Sequence, residues 1–295
     1  MNSQYNIYKE LIEDHLKDFL PNVDQKSITL LESMEYSLMS GGKRLRPVLL
    51  LAACDFCGGN INSALPYAVA LEYIHTYSLI HDDLPAMDND NMRRGRATNH
   101  MVYGDAVAIL AGDGLLNSAF EVIFKDMFLS FDREDILKRK VRAANAIASG
   151  AGCKGMIAGQ VSDIESEDKI CSKEMLEYIH INKTGELIRV ALVSGAFIAG
   201  GLKDDIEALE EYGEYIGLAF QIADDILDVR GNPDNMGKNK NVDKKKCTYC
   251  KMYGLEKSIE RLHELTETAK NIMKPFNERG TFFIELADEL AKREK

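Results

Sequence analysis

The chain has 295 residues, 45% of them hydrophobic and 28% charged, which is typical of an ordered globular protein. Its formal net charge of −11 argues against a nucleic-acid binder, because phosphate backbones are held by clustered Lys and Arg. The longest apolar stretches, PVLLLAAC and VALVSGAFIAGG, are shorter than the roughly 20 residues of a membrane span. The N-terminal segment is acidic and amphipathic, unlike a signal or transit peptide, so we expect a cytoplasmic protein.

Helical periodicity runs through the whole chain. Apolar residues recur at helical spacing from Ile7, again around Leu71 and Leu187, and still at Ile222. Glycine pairs and most of the six prolines fall between these periodic segments, where helices end. No linker rich in Pro, Gly or Ser divides the chain. The sequence therefore predicts about ten or more helices and one all-α domain over residues 1–295.

The first chemically distinctive motif is GGKRLRP, residues 41–47, in which Lys43, Arg44 and Arg46 follow two glycines. Glycine lets a backbone approach an anion closely, and both Arg and Lys bind phosphate. Taken alone, the motif is equally compatible with a solvated loop before a helix. A little further on, His81 ends an apolar run, and we interpret it as a hydrogen-bonded structural residue.

An acidic motif, DDLPAMD, follows that apolar run and precedes the dipeptide RR. Asp82 and Asp83 are adjacent, whereas Asp88 is six residues beyond Asp82. Pro85 disfavours a continuing helix, so we expect the chain to bend and to return Asp88 towards Asp82. Four acids in the short stretch from 82 to 90 need a cationic partner, because like charges a few ångströms apart repel.

A second acidic motif, FQIADDILD, contains Asp224, Asp225 and Asp228 on an apolar helix. At about 100° per residue, the three carboxylates lie within an arc of about 100° on one helix face. Oxygen ligands suit a hard cation such as Mg²⁺, which usually takes one or two protein carboxylates and keeps positions for water and phosphate. One such motif would more often be a solvated helix end. Two of them predict a site in which metal and arginines together hold phosphate.

The six cysteines include two CxxC pairs, Cys54 with Cys57 and Cys247 with Cys250, which is a spacing found in zinc sites. The pairs are far apart in sequence, and the second lies in a Lys-rich segment. We favour reduced cytosolic thiols, with a structural zinc site as the alternative.

Six ordered motifs resemble those of the trans-isoprenyl diphosphate synthases, most closely the bacterial farnesyl diphosphate synthases. They are GGKRLRP, EYIHTYSLIHDDLPAMDNDNMRRG, GQVSDI, KTGELI, FQIADDILD and a late GK followed by KKCTY, and they span nearly the whole chain. The resemblance implies a bundle of mostly antiparallel helices around a deep central cavity, usually paired as a homodimer. It also implies condensation of isopentenyl diphosphate with dimethylallyl and then geranyl diphosphate, by ionisation, condensation and elimination, to give farnesyl diphosphate.

The resemblance further implies roles for individual residues. The isopentenyl diphosphate site comprises Lys43, Arg46, His75 and Arg94, and the allylic diphosphate is contacted by Arg93, Lys238 and Lys246. The implied metal ligands are Asp82, Asp83, Asp88, Asp224 and Asp228, holding roughly three Mg²⁺ ions, for which Mn²⁺ can substitute. Lys183, Thr184 and Gln221 line the reacting carbon and, with Asp82, Asp88 and Asp224, form the implied catalytic set. The late segment is about two residues shorter than usual, which leaves open whether Lys245 or Lys246 takes the second lysine role.

Product length is expected to depend on Tyr77, five residues before Asp82. Its ring, next to Ser78, would cap the apolar cavity and stop the product at fifteen carbons. A geranylgeranyl diphosphate synthase, which makes a twenty-carbon product, is the nearest alternative. A terpene cyclase is disfavoured because it needs no isopentenyl site, and a non-catalytic helical partner subunit usually lacks one acidic motif.

Overall fold

The computed structural model describes residues 3–230 and 246–292, and within them the all-α prediction is confirmed. The helices are α1 (Ser3–His15), α2 (Ile28–Leu38), α3 (Leu45–Phe56), α4 (Ile61–Asp82), α5 (Asn99–Tyr103), α6 (Asp105–Phe128), α7 (Glu134–Ala151), α8 (Met156–Glu165), α9 (Lys173–Ile179), α10 (Glu186–Ala199), α11 (Lys203–Arg230), α12 (Tyr249–Tyr253), α13 (Leu255–Met273) and α14 (Thr281–Lys292). A π-helical turn, His180–Gly185, leads into α10, and 3₁₀ turns occupy Gln25–Ser27 and Lys274–Gly280. The two short strands β1 (Met92–Arg93) and β2 (Arg96–Ala97) form an antiparallel hairpin in which Met92 pairs with Ala97.

Helix α4 lies at the centre of the bundle and packs against α3, α6 and α10. Asn60 caps its first turn by accepting a hydrogen bond from the backbone N–H of Asn62. Most of the helix is buried on all sides, as expected for a segment with little polar face. It ends at Asp82, three residues before Pro85, and therefore delivers the first acidic motif at its carboxyl end.

Helix α6 lies beside α4 and is the one helix in the described residues that is long and apolar enough to cross a membrane. A core helix of a water-soluble bundle has the same length and composition, and 44% of the apolar window of α6 is buried. Its other face exposes large apolar side chains, including Ile109, Leu110, Phe124 and Phe128.

Two hydrophobic clusters stabilise the described part of the chain, and α11 contributes to both. The larger cluster joins the N-terminal helices to α10 and the first half of α11. The smaller joins the second half of α11 to α9, α12 and α13 through residues such as Leu176, Ile222 and Leu265. The second acidic motif is therefore placed on a segment of α11 that is packed from two directions.

Candidate active site

A cavity of about 780 Å³ is bordered by α4, α6, α8 and α11, and it collects most of the residues that the sequence singled out. Those that line it are Arg46, His75, Tyr77, Ser78, His81, Asp82, Asp88, Arg93, Arg94, Lys183, Thr184, Gln221, Asp224, Asp225, Asp228 and Lys246. Lys43 and Asp83 are not among its lining residues. Lys238 and Lys245 lie outside the described residues.

The expected bend after α4 is present. The backbone N–H of Asp88 donates a hydrogen bond to the carbonyl oxygen of Asp82 at 2.9 Å, so the two acids lie close despite their separation in sequence. Burial raises the pKa of Asp82, and the nearby Asp88 adds to the effect while Lys183 opposes it. A divalent cation at this wall would relieve that unfavourable burial of negative charge.

Asp83 is turned away from the cavity towards Arg93. The Nε of Arg93 lies 2.8 and 2.9 Å from the two carboxylate oxygens of Asp83, and only 3% of Asp83 is exposed. Although burial raises the pKa of Asp83, this paired guanidinium opposes the shift. In this arrangement Asp83 anchors Arg93 at the cavity rim, and its carboxylate is not presented to a metal beside Asp82.

The second acidic motif divides between two environments. All three acids line the cavity, but Asp224 and Asp228, one helical turn apart, are more exposed than Asp225. Asp225 is buried at the cavity edge, where it accepts hydrogen bonds from Gln221 Nε2 at 3.1 Å and from the backbone N–H of Tyr249 at 2.6 Å. Asp225 therefore fastens α12 to α11, and Asp224 with Asp228 form the acidic wall opposite Asp82 and Asp88.

Two lysines share a counter-ion that the sequence analysis left without a role. Asp163, from the motif GQVSDI, accepts a hydrogen bond from Lys183 Nζ at 2.6 Å and lies 3.8 Å from Lys246 Nζ. Lys246 also donates to Asp88 at 2.7 Å. Burial disfavours the charged form of Lys246, but Asp88 and Asp163 outweigh it and raise its pKa. Lys246 is therefore charged in the cavity. An acid between the apolar residues Val161 and Ile164 of GQVSDI was the sequence signal for Asp163.

The turn that carries Lys183 and Thr184 is π-helical, a distortion often found at functional sites. Helix α8 packs closely on it, because a Cβ on Gly159 would lie 2.2 Å from the backbone nitrogen of Lys183. Thr184 Oγ1 donates to Gln221 Oε1 at 2.7 Å across to α11. Lys183, Thr184 and Gln221 thus form a polar patch of cavity wall between the two acidic walls.

Arg46 and His75 occupy the basic end of the cavity, with Arg46 Nη1 3.4 Å from His75 Nε2. Burial lowers the pKa of Arg46 to about 10. Burial, assisted by Arg46 and Arg94, also lowers the pKa of His75 well below 6.5, so its imidazole is neutral at pH 7. A fixed cluster of donors with a neutral imidazole is suited to an anionic group such as a diphosphate.

The glycine pair of GGKRLRP makes room for Arg94. Arg94 Nη1 donates to the carbonyl of Gly41, and a Cβ on Gly42 would lie 2.8 Å from the guanidinium carbon. Lys43 is held nearby, since Tyr5 donates its hydroxyl to the Lys43 carbonyl at 2.5 Å. Arg44, by contrast, is buried and bonded to Glu72 at 2.7 Å, which makes it structural.

Tyr77 is a further residue of the cavity lining, and only 6% of it is exposed. Its ring meets the ring of His81 edge-on, with centroids 5.6 Å apart. Ser78 lies beside it and donates to the carbonyl of His75 at 2.9 Å. Both residues line the cavity, and their role as the floor that limits product length stays a prediction.

The cavity suits a metal that is bound jointly with a ligand. Within residues 3–230 and 246–292, no three His, Cys, Asp or Glu side chains are placed to hold a metal ion by themselves. Carboxylate pairs on facing walls are the donor set that Mg²⁺ accepts when phosphate oxygens and water complete its shell. The CxxC pairs offer no single four-cysteine site, because Cys54 lies in the larger hydrophobic cluster and Cys250 in the smaller.

Acidification is expected to destabilise the protein through His75. Four arginines surround the imidazole, namely Arg46, Arg94, Arg93 and Arg44. Because the pKa of His75 is lower in the folded protein, the unfolded chain takes up this proton first as the pH falls. The contribution of His75 to stability is therefore full above about pH 6.5 and is lost as the pH falls below that value. Urea unfolding should give a lower free energy at pH 5.5 than at pH 7.5, and His75→Gln should shrink that difference. The exposed His263→Gln is the control; an equal effect of both variants would contradict the assignment to His75.

A helical bundle whose cavity has two facing acidic walls and a basic end has the isoprenoid synthase fold. The sequence profile described as polyprenyl synthetase matches residues 28–279. The chain is 43% identical to the geranylgeranyl diphosphate synthase of Cyanophora paradoxa, over 97% of this chain and 94% of that protein. It is 40% identical to the farnesyl diphosphate synthase of Bacillus subtilis, over 97% and 96%.

Comparison with solved structures also indicates the isoprenoid synthase fold. The fold matches that of the Helicobacter pylori geranyltransferase solved with magnesium and isoprenyl diphosphate, with a TM-score of 0.84 and 29% identity over 98% of this chain and 97% of that one. The chain belongs to the polyprenyl synthetase family and is a trans-prenyltransferase. Its relatives carry both farnesyl and geranylgeranyl names, so the product is a separate question.

Proposed function

We propose that the protein is a Mg²⁺-dependent farnesyl diphosphate synthase that adds isopentenyl diphosphate to dimethylallyl and geranyl diphosphate. The observation that carries the proposal is that Tyr77, five residues before Asp82, is buried and lines the cavity, where its ring would form a floor. A floor at this point limits how many five-carbon units fit. We propose that the protein is located in the cytoplasm. We also propose that residues 1–295 form one domain, because α11 contributes to both hydrophobic clusters.

In this proposal the diphosphate of the allylic substrate lies between the acidic walls. Bound Mg²⁺ would neutralise the charge that develops on the leaving diphosphate, held by Asp82, Asp88, Asp224 and Asp228. Lys183, Lys246 and Arg93 add fixed positive charge at the same end. Lys246 must exchange its bond to Asp88 for one to phosphate, whereas Asp83 keeps Arg93 in place.

Different residues would contact the carbocation and the second substrate. The oxygens of Thr184 and Gln221 line the cavity where positive charge would develop on the allylic carbon. Arg46, His75 and Arg94, with Lys43 nearby, would hold isopentenyl diphosphate with its double bond towards that carbon. No protein nucleophile is required, and the departing diphosphate is the proposed base for the final proton.

Geranylgeranyl diphosphate synthase is the second candidate, since a relative of that name is 43% identical to the chain. It differs in that the twenty-carbon product requires space beyond Tyr77. A non-catalytic partner subunit is disfavoured because both acidic motifs are intact and both line the cavity.

The test is incubation of the purified protein with isopentenyl diphosphate and either dimethylallyl or geranyl diphosphate, with Mg²⁺, Mn²⁺ or a chelator, followed by product chain-length analysis. We expect fifteen-carbon product from both starters and none with the chelator. A main product of twenty carbons would support the second candidate, and no elongation would favour the partner subunit.

We also propose a homodimer built on α6. Its exposed stripe has Ile109 and Leu110 near one end and Phe124 and Phe128 near the other, each between 45% and 77% exposed. In an antiparallel pair of α6 helices related by a two-fold axis, Ile109 and Leu110 of one chain would pack against Phe124 and Phe128 of its partner. Such a large apolar patch on an isolated chain is typical of an interface.

Disruption of this stripe should yield monomers. Leu110→Glu with Phe124→Glu places charge on both apolar ends, so we expect sedimentation to show a dimer for the wild type and a monomer for the double variant. Leu202→Glu, at a more exposed apolar residue outside α6, is the control and should remain dimeric. A wild-type monomer, or a dimer in the α6 variant, would contradict the proposed interface.

A further inference from the structure

The cavity floor has a support that spans two helices. Tyr77 and His81 lie one turn apart on α4, and their rings meet edge-on with an interplanar angle of 83°. His81 also lines the cavity, so it contributes to the wall as well as contacting the floor residue. The position of the Tyr77 ring therefore depends on what holds the imidazole.

The imidazole is held by α6. His81 Nε2 lies 3.0 Å from the carbonyl oxygen of Ile109, which can only accept, so Nε2 is the protonated nitrogen and donates. The carboxylate of Asp113 is 4.0 Å from the same nitrogen. His81 is thus a cross-link between the helix that carries the floor residue and the helix beside it.

Gly112 supplies the space for this cross-link. A Cβ at Gly112 would lie 2.1 Å from His81 Nε2 and 2.4 Å from Cδ2, closer than real Cβ contacts occur. The clash is with a ring that also packs edge-on against Tyr77 and bonds to the carbonyl of Ile109, so it is not relieved by moving a flexible chain end. Any side chain at 112 must displace the imidazole or separate α6 from α4.

We propose that His81 and Gly112 are specificity-determining residues that position Tyr77 as the cavity floor, so that product length is set jointly by α4 and α6. The inference rests on the proposed prenyl elongation and concerns where it stops. Loss of the imidazole, or its displacement by a methyl group at 112, opens space beside Tyr77 between the two helices. The ring can then move into that space and admit a further five-carbon unit.

Four variants test this. We expect His81→Ala and Gly112→Ala each to raise the ratio of twenty- to fifteen-carbon product by about tenfold, the scale on which pocket shape discriminates substrates. In His81→Ala/Gly112→Ala the added methyl meets no imidazole, so the ratio should not exceed that of His81→Ala alone. His81→Gln keeps an amide donor for Ile109 and should remain within about twofold of the wild type.

Gly114→Ala is the matched control on α6. Its nearest contact would be the sulfur of Met34 at 3.0 Å, with Leu30 Cδ1 at 3.7 Å, and neither of these flexible side chains lines the cavity. Product length should be unchanged in this variant, and thermal unfolding should show Gly112→Ala to be destabilising in the wild type but not with His81→Ala. That coupling is measurable even if Gly112→Ala is poorly active.

The outcomes separate the inference from the proposed function. A wild-type protein that makes no prenyl product contradicts the proposed function. An active wild type with an unchanged product ratio in His81→Ala contradicts the inference and leaves the function standing. Strictly additive effects of the two substitutions, or a His81→Gln ratio as high as that of His81→Ala, would likewise overturn the positioning role.

Discussion

Replacing Asp224 with Asn is expected to lower kcat by about a hundredfold to a thousandfold, the order of loss seen when charge stabilisation at a transition state is removed. Asp224 lines the cavity on the wall opposite Asp82 and Asp88, where a metal-bound diphosphate is proposed. Asparagine keeps the shape and one oxygen but removes the negative charge that attracts the cation. Steady-state kinetics over a range of Mg²⁺ concentrations should show a higher Mg²⁺ requirement as well as the lower kcat.

The neighbouring Asp225→Asn is the matched control for this variant. Asp225 accepts hydrogen bonds from Gln221 and from the backbone of Tyr249, so its loss should weaken the attachment of α12 to α11. We expect a loss of stability of about 2 kcal/mol, typical of a hydrogen bond to a buried charge. The two variants should therefore differ in the property they change. Asp224→Asn should lower turnover with a nearly unchanged thermal midpoint, and Asp225→Asn should lower mainly the stability. More than a tenth of wild-type activity in Asp224→Asn would contradict its assignment as a metal ligand.

The helical fold was predictable because apolar residues recur at helical spacing in most segments. The bend that returns Asp88 to Asp82 was predictable from Pro85. The spacing also predicted that Asp224, Asp225 and Asp228 share one helix face, but it did not predict that Asp225 would have different hydrogen-bond partners. That difference depends on Tyr249, whose backbone N–H reaches Asp225 from a helix that follows in sequence. A contact of this kind carries no periodic signal.

Other features of the site depend on tertiary packing in the same way. The pairing of Asp83 with Arg93 removes one acid from the set expected to bind metal, and the motif alone gave no reason to separate it from Asp82. Asp163 was visible as an acid in the GQVSDI motif, but its role as the counter-ion of Lys183 requires α8 to lie beside the π-helical turn. His81 was interpreted as a structural hydrogen-bonding residue, which its bond to Ile109 supports, while its contact with Tyr77 was not foreseen.

Tyr77→Ala is expected to change the main product from fifteen carbons to twenty or more. Tyr77 lines the cavity and is the proposed floor, so its removal should extend the cavity along α4 without touching Asp82, a little over one turn away. The first condensation should therefore proceed with kcat/KM within about threefold of the wild type, because the interactions made in its transition state are retained. Product chain-length analysis with dimethylallyl and isopentenyl diphosphates gives the result directly.

Tyr77→Phe distinguishes the ring from the hydroxyl. Phenylalanine keeps the floor, so the fifteen-carbon product should persist, whereas a longer product would show that the hydroxyl rather than the ring sets the limit. Because Tyr77 lines a cavity, Tyr77→Ala should cost about 3 kcal/mol of stability, the lower end for truncating a large buried aromatic side chain. A folded Tyr77→Ala enzyme that still stops at fifteen carbons would exclude Tyr77 as the floor. If His81→Ala nevertheless lengthened the product in that case, the limit would lie in the wall between α4 and α6 instead.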